Sequence, residues 1–228
     1  IISQYVSAAL VIIHMMHLKD SCHFDFKVLR LDSLETRRIL GIGIPAGVQY
    51  AIFSIANLFI QVGINSFDSV VVSGNSAAVN VDNVVYNVMA AFYTACSTFM
   101  SQNWGAGKHD RMIKSYYISL GFAFVSAAVL SAAFWLNAGS FLSLFTNDAG
   151  VVDAGLKRLQ IMCLSFPISA FMDCTISACR GIGRSLVPTV VVILGSCVFR
   201  VIWVYTIFAH FHTIPSLYLL YPCSWILT

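Results

Sequence analysis

The sequence has 228 residues, 58% of them hydrophobic and only 10% charged, with a mean hydropathy of +0.81, whereas soluble domains carry about 25% charged residues. That balance excludes an ordinary soluble enzyme and defines an all-α polytopic membrane protein. The net charge of +3 gives no nucleic-acid signal, because the basic residues fall in the loops and no basic stripe interleaved with aromatics occurs.

Residues 1–18 form an apolar run close to the roughly 20 residues needed to cross the hydrocarbon core. They read as the end of a transmembrane helix. The chain opens without Met or a basic leader and closes in an apolar run, so it is expected to be a fragment, truncated at both ends, of a longer transporter. Residues 19–38 are the one charge-dense stretch, with Lys19, Asp20, Lys27, Arg30, Arg37 and Arg38 among its charges, and read as a solvated loop leading into the next span.

Apolar periodicity then predicts spans at about 39–64, 79–102, 115–136, 156–178 and 187–209, with an incomplete one at 217–228. In the first of these Gln49, Asn57, Gln61 and Asn65 repeat in multiples of four, which sets the amides along one side of a helix. Pro45 is read as lying near its start, and Gly41, Gly43 and Gly47 as points of close approach for a neighbour. Residues 65–78 are expected to be a turn-rich connection. The next span carries Asn80, Asn83, Asn87, Thr94, Ser97 and Ser101 at steps of three and four, with Asp82, Tyr86 and Tyr93 on an adjoining face. Residues 137–153 read as an acidic loop, and 115–136 as a packing helix free of charge.

The span at 156–178 places Ser165, Ser169, Asp173 and Ser177 four apart, and Arg200 falls near the middle of the following span. A membrane-embedded carboxylate costs roughly 2.5 kcal/mol or more by insertion scales, so Asp173 is expected to face a wet cavity, bind a partner or carry a cation. Counting about 1.5 Å of rise per residue from the turn between the two helices sets Asp173 about 10 Å and Arg200 about 20 Å deep. A direct ion pair between them would need the helices to shift. Three striped helices together predict a water-filled cavity lined by Gln49, Asn57, Gln61, Asn80, Asn83, Tyr86, Asn87, Tyr93, Ser169 and Arg200, with Asp173 and Asp82 as candidate ion-coupling carboxylates.

Ten of the 13 Lys and Arg fall in the loops after the first, third and fifth spans, which assigns those loops to the cytoplasm; Lys157 and Arg158 are taken as loop charges on the other side. The seven cysteines, Cys22 among them, lack CxxC spacing and read as small packing residues, and the paired histidines are too few for a metal site. No HExxH, DDxxD, GxSxG or GxxxxGK[ST] pattern occurs, so nothing points to membrane-embedded enzymology or a nucleotide site.

SQNWGAGK after one striped helix, MD followed by RGIGRS and a proline after another, and the opening GIPAGVQYAIFSIANLFIQVGINSF together resemble the multidrug and toxic compound extrusion (MATE) family. The motif residues are Pro45, Gln102, Asn103, Gly105, Arg180, Gly181, Gly183 and Pro188. The resemblance implies one six-helix lobe of a twelve-helix, pseudo-symmetric transporter in the bacterial inner membrane, the missing N-terminal lobe being its partner. It implies export of amphipathic or cationic drug-like compounds in exchange for H⁺ or Na⁺, with no cofactor beyond that ion and Na⁺ near Asp173 as the one metal candidate. A lipid or lipid-linked oligosaccharide flippase is the alternative, expected to line its cavity with several cations where only Arg200 is seen; a membrane enzyme or assembly subunit is a further one. In one departure, Asp68 of NSFDS stands where similar family sequences often have glycine, and marks either an altered outer gate or a tolerated loop substitution.

Overall fold

The structure, a computed structural model, describes residues 1–19, 23–25 and 30–228. Asp20, Cys22 and Lys27 lie outside the described residues. The chain divides into two compact units, Ile1–Leu40 and Gly41–Thr228. The helices are α1 (Ile2–His17), α2 (Ser33–Asn65), α3 (Ser69–Gly105), α4 (His109–Leu136), the short α5 (Ala138–Leu142), α6 (Ala149–Gly181), α7 (Leu186–Phe211) and α8 (Ile214–Leu227). Four of them, α2, α4, α6 and α7, are long and apolar enough to cross a membrane. α3 is as long, but its amides and hydroxyls dilute its hydropathy.

Several helices begin earlier than the apolar runs suggest, and side-chain caps explain why. Residues 65–78 are not a turn-rich connection. Asp68 is the N-cap of α3, its carboxylate accepting from the backbone N–H of Val71 at 3.0 Å. The departure at Asp68 is therefore a helix-start signal, since an N-cap acid satisfies an orphan donor and complements the helix dipole. Asp148 caps α6 in the same way, accepting from Gly150 and Val151. The acidic loop at 137–153 thus shrinks to a short helix and a cap.

Pro45 does not sit in a first turn; it lies well inside α2. A proline there has no N–H for the carbonyl one turn back, that of Gly41. The hydroxyl of Ser185, in the turn after α6, donates to that carbonyl at 3.4 Å and to the carbonyl of Ile42 at 3.2 Å. Two of the family motifs are therefore one structural feature. Gly41, Gly43 and Gly47 meet no described atom within 4 Å of where a side chain would start.

Close approach occurs between α3 and α6 instead. A Cβ on Gly74 would lie 2.7 Å from the carbonyl oxygen of Val151, and one on Gly181 would lie 2.6 Å from that of Ser97. Backbones that touch at both ends hold the two helices side by side along their length. Between those points Val85, Met89, Ala123, Ala127, Met162, Phe166 and Ala170 form an apolar core shared with α4. A second core of Ile60, Ile64, Phe208, Leu217, Tyr218 and Leu220 joins α2, α7 and α8. Cys96, Cys163, Cys174 and Cys197 are buried thiols within this packing. At the turn after α6, Gly183 adopts φ +78°, which an L side chain rarely tolerates.

Substituting Gly181 with Val overpacks the α3–α6 contact and is expected to cost about 1–3 kcal/mol. Gly121→Ala, on α4 where nothing lies within 4 Å, is the control. Thermal unfolding of the purified full-length protein should show a clear drop for the first and almost none for the second.

Candidate functional site

A cavity of about 520 Å³ opens between α2, α3, α6, α7 and α8. Of the residues expected to line it, Gln49, Asn57, Gln61, Asn83, Tyr86, Tyr93, Ser169 and Arg200 do, together with Asp82 and Asp173. Asn80 and Asn87 do not. Both are exposed on this chain, and the Asn80 amide donates to the carbonyls of Ser76 and Ala77 in its own helix. At about 100° per residue, Asn80 stands about 120° from Tyr86 around α3. The cavity meets the adjoining face of α3, with Asn75, Asp82, Tyr86 and Tyr93, and the Tyr86 and Tyr93 rings stack edge-on at 6.1 Å.

Arg158 is the residue the sequence reading misplaced. It is no loop charge: it lies inside α6, only 5% exposed. Its guanidinium forms an ion pair with Asp82 through two donors and donates to the Asn75 side-chain oxygen at 2.7 Å. The Tyr218 hydroxyl donates to the same Asn75 oxygen at 3.0 Å, and the Tyr218 ring lies 5.0 Å from the guanidinium carbon. Asp82 is thus an ion-paired carboxylate in the cavity wall, and its second oxygen, Oδ1, is buried with no hydrogen-bond partner among the described residues. Lys157, one residue earlier, points elsewhere and pairs with Asp153 at 2.7 Å.

Two further arginines line the cavity, and among the described residues neither makes an ion pair with a carboxylate. Arg180, in the last turn of α6, donates to the Gln49 side-chain oxygen at 3.1 Å and to the Tyr50 hydroxyl at 3.4 Å. Thr189 donates to that same Gln49 oxygen at 3.2 Å, so Gln49 is fixed from two sides. Arg200, 1% exposed, donates to Ser224 at 3.1 Å and Asn57 at 3.2 Å. The faces of Phe53 and Tyr221 lie 4.5 and 4.8 Å from its guanidinium carbon. The helix that carries it has π-helical segments at Ile193–Val198 and Val204–Phe208, on either side of the α-helical Phe199–Trp203. These segments shift which residues of α7 face inward, and periodicity alone gives no sign of them.

Asp173 is half-buried at the cavity wall, and among the described residues it makes no ion pair and no hydrogen bond through its carboxylate. The direct pair with Arg200 is not formed. Ser169, one turn away, spends its hydroxyl on the carbonyl of Phe166 at 2.9 Å.

A helical membrane bundle around a largely apolar cavity set with arginines, amides and two carboxylates, one of them unpaired among the described residues, has the architecture of a membrane transporter lobe. The chain belongs to the MatE family, a family of transporters and not enzymes, whose family model matches residues 45–206. It is 25% identical over 167 residues to "Probable multidrug resistance protein NorM" of Photorhabdus laumondii, which covers 72% of this chain and 35% of that protein. It is 21% identical over 198 residues to "Probable multidrug resistance protein YoeA" of Bacillus subtilis, covering 86% of this chain and 43% of that one. Among solved structures, the outward-facing conformation of a multidrug resistance MATE family transporter matches with a TM-score of 0.87 at 18% identity, over 99% of this chain and 51% of that one. A transporter of Pyrococcus furiosus whose structure is titled for the reverse polarity of its binding pocket matches with a TM-score of 0.79 at 20% identity, over 97% of this chain and 49% of that one. The chain therefore spans about half of the structures it matches, and less of the curated relatives.

Removing one member of the Asp82–Arg158 pair strands the other charge, at a cost of about 3–5 kcal/mol. Asp82→Asn and Arg158→Gln are each expected to unfold at clearly lower temperature. The double variant should recover about half of that loss, because neither charge is then left unpaired; strictly additive losses would show that the two are not coupled.

Proposed function

We propose that the full-length protein is a secondary active transporter of the bacterial inner membrane, in which this chain is the C-terminal lobe and a second lobe closes the cavity. It exchanges H⁺ or Na⁺ for amphipathic, often cationic compounds and needs no other cofactor. The observation that carries this reading is the difference between the two acids. Asp82 is already held by Arg158, whereas Asp173 reaches the cavity with a carboxylate that makes no ion pair or hydrogen bond among the described residues. A proton or Na⁺ at Asp173 neutralises it, and a cationic substrate competes for the charged form.

Coupling then requires only that the two lobe arrangements differ in affinity for ion and substrate. Substrate on one side of the membrane favours the ionised, substrate-bound form. Ion arriving from the other side displaces the substrate and resets the lobes. The amides of Gln49 and Asn57 already bond the arginines, so a change of charge at Asp173 acts on groups that connect α2, α6 and α7.

The flippase reading gains from one observation. Three arginines line the cavity, where the sequence had offered Arg200 alone. Arg180 and Arg200, free of carboxylates, are groups that a lipid phosphate could use.

In an efflux-deficient bacterium, the full-length protein should exclude a fluorescent cationic dye, and collapsing the H⁺ gradient or removing Na⁺ should identify the coupling ion. Asp173→Asn should abolish gradient-driven exclusion while the protein is still inserted at normal levels. Full exclusion by that variant would remove Asp173 from the mechanism.

A further inference from the structure

The charges in the cavity do not balance in the direction that a site for cations alone requires. Arg158 is neutralised by Asp82, but among the described residues Arg180 and Arg200 are hydrogen-bonded only by neutral groups. Each also keeps one buried nitrogen without a partner, Nε of Arg180 and Nη2 of Arg200. Burial of a guanidinium without a counter-charge is costly, and an unmet donor adds to that cost. Asp173 lines the same cavity yet pairs with neither arginine. Even with Asp173 ionised, the three arginines of this chain's cavity wall outnumber its two carboxylates by one.

We propose that the cavity binds the anionic group of an amphipathic compound, a carboxylate, sulfonate or phosphate, with Arg200 as its direct ligand and Arg180 supplying a second positive charge. A guanidinium offers planar, paired donors that match such oxyanions. The apolar body of the compound would lie on the aromatic wall of Phe53, Tyr221 and Trp225, whose rings already surround Arg200. The π-helical segments on both sides of Phe199–Trp203 belong to the same construction, because irregular turns of this kind concentrate where a helix presents a functional side chain. The inference rests on the cavity being the transport cavity. It alters which substrates fit there: compounds with an acidic group, zwitterions included, are favoured over simple cations.

The test is equilibrium binding without any ion gradient, so that failure of ion-driven efflux and failure of this proposal remain distinguishable. Full-length protein in phosphatidylcholine nanodiscs is titrated with three matched probes: pyrenebutyrate, pyrenebutyl-trimethylammonium and pyrenebutanol. Binding is read as energy transfer from protein tryptophan to pyrene, with empty discs subtracted for partitioning. Pyrenebutyrate is expected to bind about tenfold more tightly than the other two, the factor that one charge-assisted hydrogen bond supplies. Arg200→Gln should remove that preference. Because Arg200 is buried and its replacement also removes hydrogen bonds that hold the fold, Arg180→Gln is measured beside it and should weaken the anion about threefold to tenfold. Asp173→Asn should strengthen pyrenebutyrate and weaken the ammonium probe. Equal affinities for the three probes, tighter binding of the cation, or an anion affinity indifferent to both Arg180→Gln and Asp173→Asn would each overturn the proposal. Discs that contain phosphatidylglycerol separate the sources of the anion: competition with pyrenebutyrate supports a lipid headgroup as the occupant, and unchanged binding supports a soluble amphiphile.

Discussion

Two guanidiniums buried in one apolar bundle, Arg158 and Arg200, and a third, Arg180, half-buried at its end, must be held against the cost of leaving water, and most of the architecture around the cavity follows from how that is done. Arg158 bonds α6 to α3 through Asp82 and Asn75, and through Asn75 to Tyr218 of α8. Arg180 bonds α6 to α2 through Gln49 and Tyr50. Arg200 bonds α7 to α2 through Asn57 and to α8 through Ser224. Every helix that walls the cavity is thus tied to another by an arginine. α4, which does not wall it, is attached mainly by apolar packing, with the Tyr116–Thr175 hydroxyl contact as a minor addition. Of the amides that looked like a general polar stripe, Gln49 and Asn57 serve as neutral acceptors for cations, whereas Gln61 donates to Asn65 and Asn80 to its own backbone.

Buried ion pairs are a poor source of net stability, but they penalise every arrangement in which one partner loses the other. In a bundle whose remaining contacts are mostly non-directional apolar packing, such penalties select one register of α3 against α6. The glycine contacts at Gly74 and Gly181 act in the same sense, since only that register lets the backbones touch at both ends. A lobe fixed in this way can move as a unit against another while its own helices keep their pairing. Rocking of lobes demands that property.

The order of the helices was legible from hydrophobic periodicity, and the family from a few spaced motifs, because both depend on local sequence. Helix starts were less so. Asp68 and Asp148 looked like loop acids, and only the cap geometry shows that each begins a helix well before its apolar run. That error carried Arg158 with it: a span begun at residue 156 leaves Arg158 at the membrane surface, whereas one begun at Ala149 buries it. The signal that could have corrected it was Asp82, an acid in a membrane helix with no basic residue assigned to it. The side of α3 that meets the cavity was not legible, because spacing shows that Asn80 and Asn87 share a face but not which neighbour that face meets. The π-helical turns of α7 have no sequence signature at all, and they decide where Arg200 points.

One consequence of this distribution of charge is that the electrical state of the cavity depends on a single group. Asp82 is committed to Arg158, and arginines do not lose their protons in proteins. Only Asp173 is left to change. Charges that share a low-dielectric cavity interact far more strongly than the same charges in water. Neutralising Asp173 therefore makes the same cavity a poorer site for a cation and a better one for an anion, without moving any helix. On the proposed function, substrate preference and ion coupling would both be set by that one carboxylate, because Asp173 and Arg200 line the same cavity with opposite charge.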